Sequence, residues 1–326
     1  MAWVLRYLAH VWQTPEETKA LYQKALAIFE DIGDERGMAE TLYRMGVVTA
    51  QLGDYQEAQQ FYQNSLTKLR KVGRQETIMF CQAELGYIEW TIGNYQTAEE
   101  RCRASLSLAM EIGYPSFTAM ILRYLARIAL SLTDYQTAKK HLQDSLAIYK
   151  DIGQRGFRAE TLGELAHVAV LERNLVEARE LAQESLALCE ERGHRTGMVE
   201  PLTILGEVAL DLGDFQEAET SFQQALQIAI ERWVPSYALH ALAGMAKLLA
   251  TVGDKERALD LATFIVHHPA TWQWSKDYIA PLIAKLETDL SFDALTTAQA
   301  WWREKTLAGV VEDLSGETVR LQKART

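Results

Sequence analysis

The sequence predicts an all-α fold, an α-α superhelix of about seven stacked helix-turn-helix repeats, and three observations carry that prediction. The phrase LGDYQEA at 52–58 returns as IGNYQTA at 92–98, LTDYQTA at 132–138, ERNLVEA at 172–178, LGDFQEA at 212–218 and VGDKERA at 252–258, always after 40 residues. Within each period the apolar residues fall at helical spacing, and glycines with acidic or amide residues punctuate it. A fixed interval of this length marks a repeat architecture, in which each unit buries its apolar face against its neighbours.

The first helix of a unit, helix A, shows one apolar column through Met45, Leu85, Leu125, Leu165, Leu205 and Met245. A second runs through Val48, Ile88, Ile128, Val168, Val208 and Leu248, and a third through Leu52, Ile92, Leu132, Leu212 and Val252, broken by Glu172. Spacing of i, i+3, i+7 places all three on one buried stripe. The repeated phrase is then a turn: Gly53, Gly93, Gly213 and Gly253 suit the left-handed end of a helix, and Asp54, Asn94, Asp134, Asn174, Asp214 and Asp254 suit the cap of the next. Asp54 with Glu57, Asn174 with Glu177 and Asp214 with Glu217 read as complete capping boxes.

Helix B carries Ala58, Ala98, Ala138, Ala178, Ala218 and Ala258, where a larger side chain would hold the pair apart. Seven places on comes a second small column, Ala25, Ser65, Ser105, Ser145, Ser185 and Ala225, each followed by a leucine that fills the space between units. Helix B ends near Gly33, Gly73, Gly113, Gly153 and Gly193, and Pro115 and Pro235 open the following A helices.

Composition narrows the function. A net charge of -11 argues against a nucleic-acid partner. Cys81, Cys102 and Cys189 have neither an even count nor CxxC spacing, so they read as reduced core thiols, with no disulfide frame and no metal site. The opening residues lack a cleavage pattern and no stretch is long enough to span a membrane, which together give a cytoplasmic expectation. His267-His268 closes the last B helix, and His167 with Glu164 lacks a nucleophile or glycine-rich loop. The expectation is a non-catalytic chain without cofactor.

Met45-Gly46, Ala58, Tyr62 and Ser65, repeated as Leu85-Gly86, Ala98, Cys102 and Ser105 and as Leu205-Gly206, Ala218, Phe222 and Ala225, resemble the tetratricopeptide repeat (TPR) pattern. The departures are a period of 40 rather than 34 and Ala126, Ala166 and Ala246 at the glycine position. The resemblance implies a TPR array over 1–268, capping helices over 269–315 and a disordered tail over 316–326. The end of the chain, with Ala298-Gln299-Ala300-Trp301-Trp302 and a short helix from Thr306-Leu307, resembles the C-terminal end of bacterial STAND-type regulators, in which a nucleotide-switch ATPase precedes a TPR array. These residues contain no GxxxxGK[ST] phosphate loop, so the resemblance implies an ATPase domain upstream in a longer protein. Met1 falling inside an A helix agrees with that expectation.

In TPR arrays the A helices line the concave face, so the resemblance points to A-helix residues off the buried stripe as partner-binding: Trp3, Tyr7, Tyr43, Phe80, Tyr87, Trp90, Arg123, Tyr124, Arg127, Glu164 and His167. Glu207, His240 and Lys247 hold equivalent positions further along. Aromatic residues and arginine dominate interface energies. The same aromatics are also suited to pack adjacent A helices, and Arg123 and Arg127 either clamp an acidic group or pair with Glu84, Glu160 or Glu164. The functional expectation is a protein-binding or effector-binding sensor module of a STAND-like signalling protein. A stand-alone scaffold or adaptor and a self-associating structural protein are the alternatives.

Overall fold

The computed structural model describes residues 15–314, and Trp3 and Tyr7 lie outside them. The described residues are helical throughout, without a strand. They divide into two compact units, with the boundary between Ile148 and Tyr149.

In the first unit α1 (Pro15–Asp31), α3 (Tyr55–Val72), α5 (Tyr95–Ile112) and α7 (Tyr135–Asp151) are B helices, and α2 (Glu35–Gln51), α4 (Gln75–Thr91) and α6 (Pro115–Ser131) are A helices. In the second, A helices α8 (Arg155–Leu171), α10 (Val199–Leu212, preceded by a 3-10 turn at Arg195–Met198) and α12 (Pro235–Thr251) alternate with B helices α9 (Leu175–Glu191), α11 (Phe215–Glu231) and α13 (Lys255–His267). Then follow α14 (Gln273–Asp289), α15 (Phe292–Glu304) and a helical segment over 307–314. Successive helices pack on one another from α1 to α6 and from α8 to α14, α15 folds back onto α13, and A helices also touch the A helix of the following pair: α2 with α4 and α4 with α6, then α8 with α10, α10 with α12 and α12 with α14. Within each unit the A helices therefore form a continuous layer.

Small side chains set the spacing inside a pair. The helix-B alanines Ala58, Ala98, Ala138, Ala178, Ala218 and Ala258 are fully buried. A Cβ on Gly46 would come within 2.6 Å of Tyr62, one on Gly86 within 2.6 Å of the Cys102 sulfur, and one on Gly206 within 2.6 Å of Phe222. The glycine is thus the counterpart of the bulky residue sixteen places on. Where helix A instead has Ala166 or Ala246, helix B carries Ala182 or Ala262 in the same buried cluster. The serine column adds a bond that spacing alone does not announce: Ser65, Ser105, Ser145 and Ser185 donate their hydroxyls to the backbone carbonyls of Ala39, Met79, Ala119 and Ala159 at 2.7–2.8 Å. Each buried hydroxyl pins helix B to helix A.

The turns differ from expectation in three respects. Gly53 takes φ 84 and donates its N–H to Ala50, while the Asp54 N–H reaches back to Thr49, the two bonds of a Schellman close. Asp54 then caps α3 by accepting from the Glu57 N–H at 3.0 Å, so one residue ends a helix and begins another. Because the Asp54 N–H is already spent, the reciprocal half of the capping box does not form, and Glu57 pairs with Lys19 on the preceding B helix. Glu217 is diverted likewise to Arg179 at 3.1 Å. Second, Asn94 does not cap: its side-chain amide donates to Glu89 at 2.8 Å. Third, the outermost apolar column is not buried. Leu52, Ile92, Leu132 and Leu212 are exposed, because the last residue before the left-handed position, Gly53, Gly93, Thr133 or Gly213, sits at the rim of the pair rather than between helices.

Candidate functional site

In the first unit the A layer carries a wall of aromatic side chains. Tyr43 on α2 lies 6.1 Å from Phe80 on α4, and Phe80 meets Phe117 on α6 edge-on at 4.5 Å. Two turns further along α4, Tyr87 packs 5.5 Å from Trp90 and 5.3 Å from Tyr124 on α6. Arg127 stands over the Trp90 ring at 5.7 Å. Gly86, Tyr87, Trp90, Tyr124, Arg127 and Ile128 line a narrow slot with no room for a water molecule, so the wall is closely packed.

The expected residues play unequal parts in that wall. Tyr43, Phe80, Tyr87, Tyr124 and Arg127 are half-buried, each with surface left to offer. Trp90 is only 4% exposed and its indole N–H donates to Ser131 at 2.9 Å, so it backs the slot and joins α4 to α6. Arg123 is 6% exposed, which leaves Arg127 the more accessible of the two arginines. Sequence spacing did not single out Glu84 as a wall residue. Its half-buried carboxyl lies within electrostatic reach of Tyr43, Tyr62 and Tyr124, and burial raises its pKa to about 7. Burial also keeps the tyrosine hydroxyls protonated and lifts the Cys81 and Cys102 thiols to about 12, which makes these cysteines inert core residues.

In the second unit Glu164 is buried in the A layer, and His167 joins a polar cluster drawn from four A-layer helices. Its ring lies 5.8 Å from His240 on α12 and 5.5 Å from Trp274 on α14. Trp274 packs on His240 at 4.6 Å, and the Tyr278 hydroxyl donates to Glu207 on α10 at 2.5 Å. Burial works against the Glu207 carboxylate, but His240, His167, Lys247 and the Tyr278 hydroxyl hold its pKa below the ordinary value. Burial pushes His240 down to about 4, leaving its ring neutral at pH 7, and lowers Lys247 to about 8. Trp274 and Tyr278 belong to the segment expected to be a terminal cap. The chain enters α14 through an extended residue, His268, and a short link, so α14 starts two places early in the 40-residue register and the sequence period no longer flags it.

Among the described residues no group of three or more His, Cys, Asp and Glu side chains is placed to hold a metal, and no helix is long and apolar enough to cross a membrane.

Solved structures share this arrangement. RapI in its apo form superposes with a TM-score of 0.66 at 15% identity, covering 88% of this chain and 97% of that one. A Rap protein complexed with Competence and Sporulation Factor gives 0.65 at 16% identity, covering 85% and 72%. A STAND protein with a tetratricopeptide repeat sensor from Pyrococcus horikoshii gives 0.57 at 15% identity, covering 88% of this chain but only 43% of that one. At such identities the likeness is one of fold. No curated relative matches the sequence. The sequence profile of the tetratricopeptide repeat matches residues 13–71, 79–151 and 157–231, and with the paired helices, the glycine-against-aromatic contacts and the A-helix layer this establishes that the chain belongs to the tetratricopeptide repeat family.

Proposed function

We propose that this chain is a non-catalytic binding module that captures a protein or peptide segment on its A-helix face, as the sensing part of a cytoplasmic signalling protein of the STAND kind. The observation that carries the reading is the half-buried wall of Tyr43, Phe80, Tyr87 and Tyr124 with Arg127 beside it. Half-exposed tyrosines offer large rigid contact area with a polar tip and lose little side-chain entropy when covered. The likeness to a Rap protein complexed with Competence and Sporulation Factor, and to a STAND protein with a tetratricopeptide repeat sensor, supports capture as the mode of action. In the STAND reading an ATPase domain is the covalent partner and the captured segment changes its state.

Selection from a displayed random-peptide library tests the reading. Peptides that bind the chain lose about tenfold or more affinity when Tyr87 and Tyr124 are replaced by Ala, the scale of a hot-spot residue. Unchanged affinity in that variant would place binding elsewhere. Trp90 is left intact in this test because its interior position ties its loss to folding.

A further inference from the structure

The cluster around Glu207 is only partly satisfied. One carboxylate oxygen, Oε1, accepts from Tyr278, whereas the other, Oε2, is buried without a hydrogen-bond partner. His240 is 5% exposed, and its Nδ1 is likewise buried and unpartnered. Its Nε2 stands 4.0 Å from Glu207 Oε1, and with the ring proton on that nearer nitrogen Nδ1 is an acceptor. The Trp274 indole N–H also lacks a partner. Two acceptors and one donor are thus left unsatisfied in a cluster of ring faces. Such groups carry a desolvation penalty that a matching ligand removes.

A cation already rests on this shell. The Lys247 ammonium sits 3.1 Å from the centre of the Tyr278 ring. Burial makes that position uncomfortable for the charged amine, as its lowered pKa reflects. Lys247 therefore acts as an internal stand-in, covering a face that attracts positive charge without satisfying the acceptors behind it.

We propose that Glu207, His240, Trp274 and Tyr278 form a subsite for one guanidinium group, an arginine side chain of the captured segment, and that Lys247 yields its place on the Tyr278 ring when that group arrives. A planar guanidinium stacks on an aromatic face while donating several N–H bonds in its plane, so it offers donors to both Glu207 Oε2 and His240 Nδ1 where an ammonium offers a single point charge. The Trp274 N–H is left to meet a carbonyl of the same residue. The inference deepens the binding role above by naming the residue type the second unit reads, and it rests on that reading.

The probe is N-acetyl-arginine methylamide, with the citrulline analogue as its uncharged isostere, titrated into the whole chain by calorimetry and by NMR of the histidine ring nitrogens. The arginine probe is expected to bind about tenfold or more tightly than citrulline, the scale of one charge-assisted hydrogen bond, and to shift the His240 resonance. Lys247→Met keeps the stem and removes the competing cation, so arginine binds severalfold tighter; Glu207→Gln removes the discrimination against citrulline. Equal binding of both probes to the wild-type chain, or no binding of either, overturns the subsite without touching capture on the aromatic wall, which is read separately through Tyr87 and Tyr124. Weakened arginine binding in Lys247→Met overturns the displacement step.

Discussion

Replacing Glu84 by Gln should make the chain more stable, and only above pH 4.5. The ordinary pKa of 4.5 rises to about 7 in the folded chain, and burial is the cause. Below 4.5 the folded and unfolded chains both hold the proton, so no penalty exists. Between 4.5 and about 7 only the folded chain holds it, and stability falls as pH rises. Each pH unit corresponds to about 1.4 kcal/mol at full transmission, so a window of about 2.5 units bounds the effect near 3.4 kcal/mol. The side chain is half-buried rather than enclosed, and solvent screening reduces the expected gain to about 1–2 kcal/mol at pH 8. Urea titrations followed by far-ultraviolet circular dichroism, at pH 4 through 8, give the difference between wild type and Glu84→Gln. The curves should coincide at pH 4 and separate progressively up to pH 7. A difference that is flat across that range would refute the argument, because an uncharged amide would then be equivalent to a carboxyl that never changed its protonation between the two states.

Three further substitutions probe the frame. Trp233 is 89% exposed and held at φ 54, where a side chain with a Cβ is strained, so Trp233→Gly should raise the thermal midpoint, with a net gain of about 0.5–1 kcal/mol. Ser105→Ala removes the donor to the Met79 carbonyl and should cost about 1 kcal/mol by denaturant titration. Ala138→Leu forces volume into a fully buried position and should cost about 1–3 kcal/mol in the same assay.

Much of this frame is legible in the sequence because a solenoid repeats its instructions. The Ala58 column, the Gly46 column and the Schellman glycines each recur at one register position, so chance resemblance is averaged away. What periodicity cannot convey is competition for a single group. Asp54 and Glu57 spell a capping box, yet the backbone N–H that the box needs is taken by the preceding helix, and the glutamate turns to Lys19. Leu52 continues an apolar column by spacing, but the helix ends there and the side chain reaches the rim. The serine column reads as small, while its hydroxyls also bond across the pair. In the candidate site, residue type and helix face were readable for Tyr43, Tyr87 and Tyr124, whereas the interior position of Trp90 depends on Ser131, 41 residues away. The cluster around Glu207 stayed hidden because two of its members lie past the two-residue slip that opens α14.

In the proposed function the A-helix layer of the first unit is the face that binds. Amide hydrogen exchange, with and without a peptide selected against the chain, tests it most directly, because protection is read helix by helix. Slowed exchange is expected to concentrate in α4 and α6, the helices that carry Tyr87 and Tyr124. Protection confined to α3 and α5, with α4 and α6 unchanged, would contradict it.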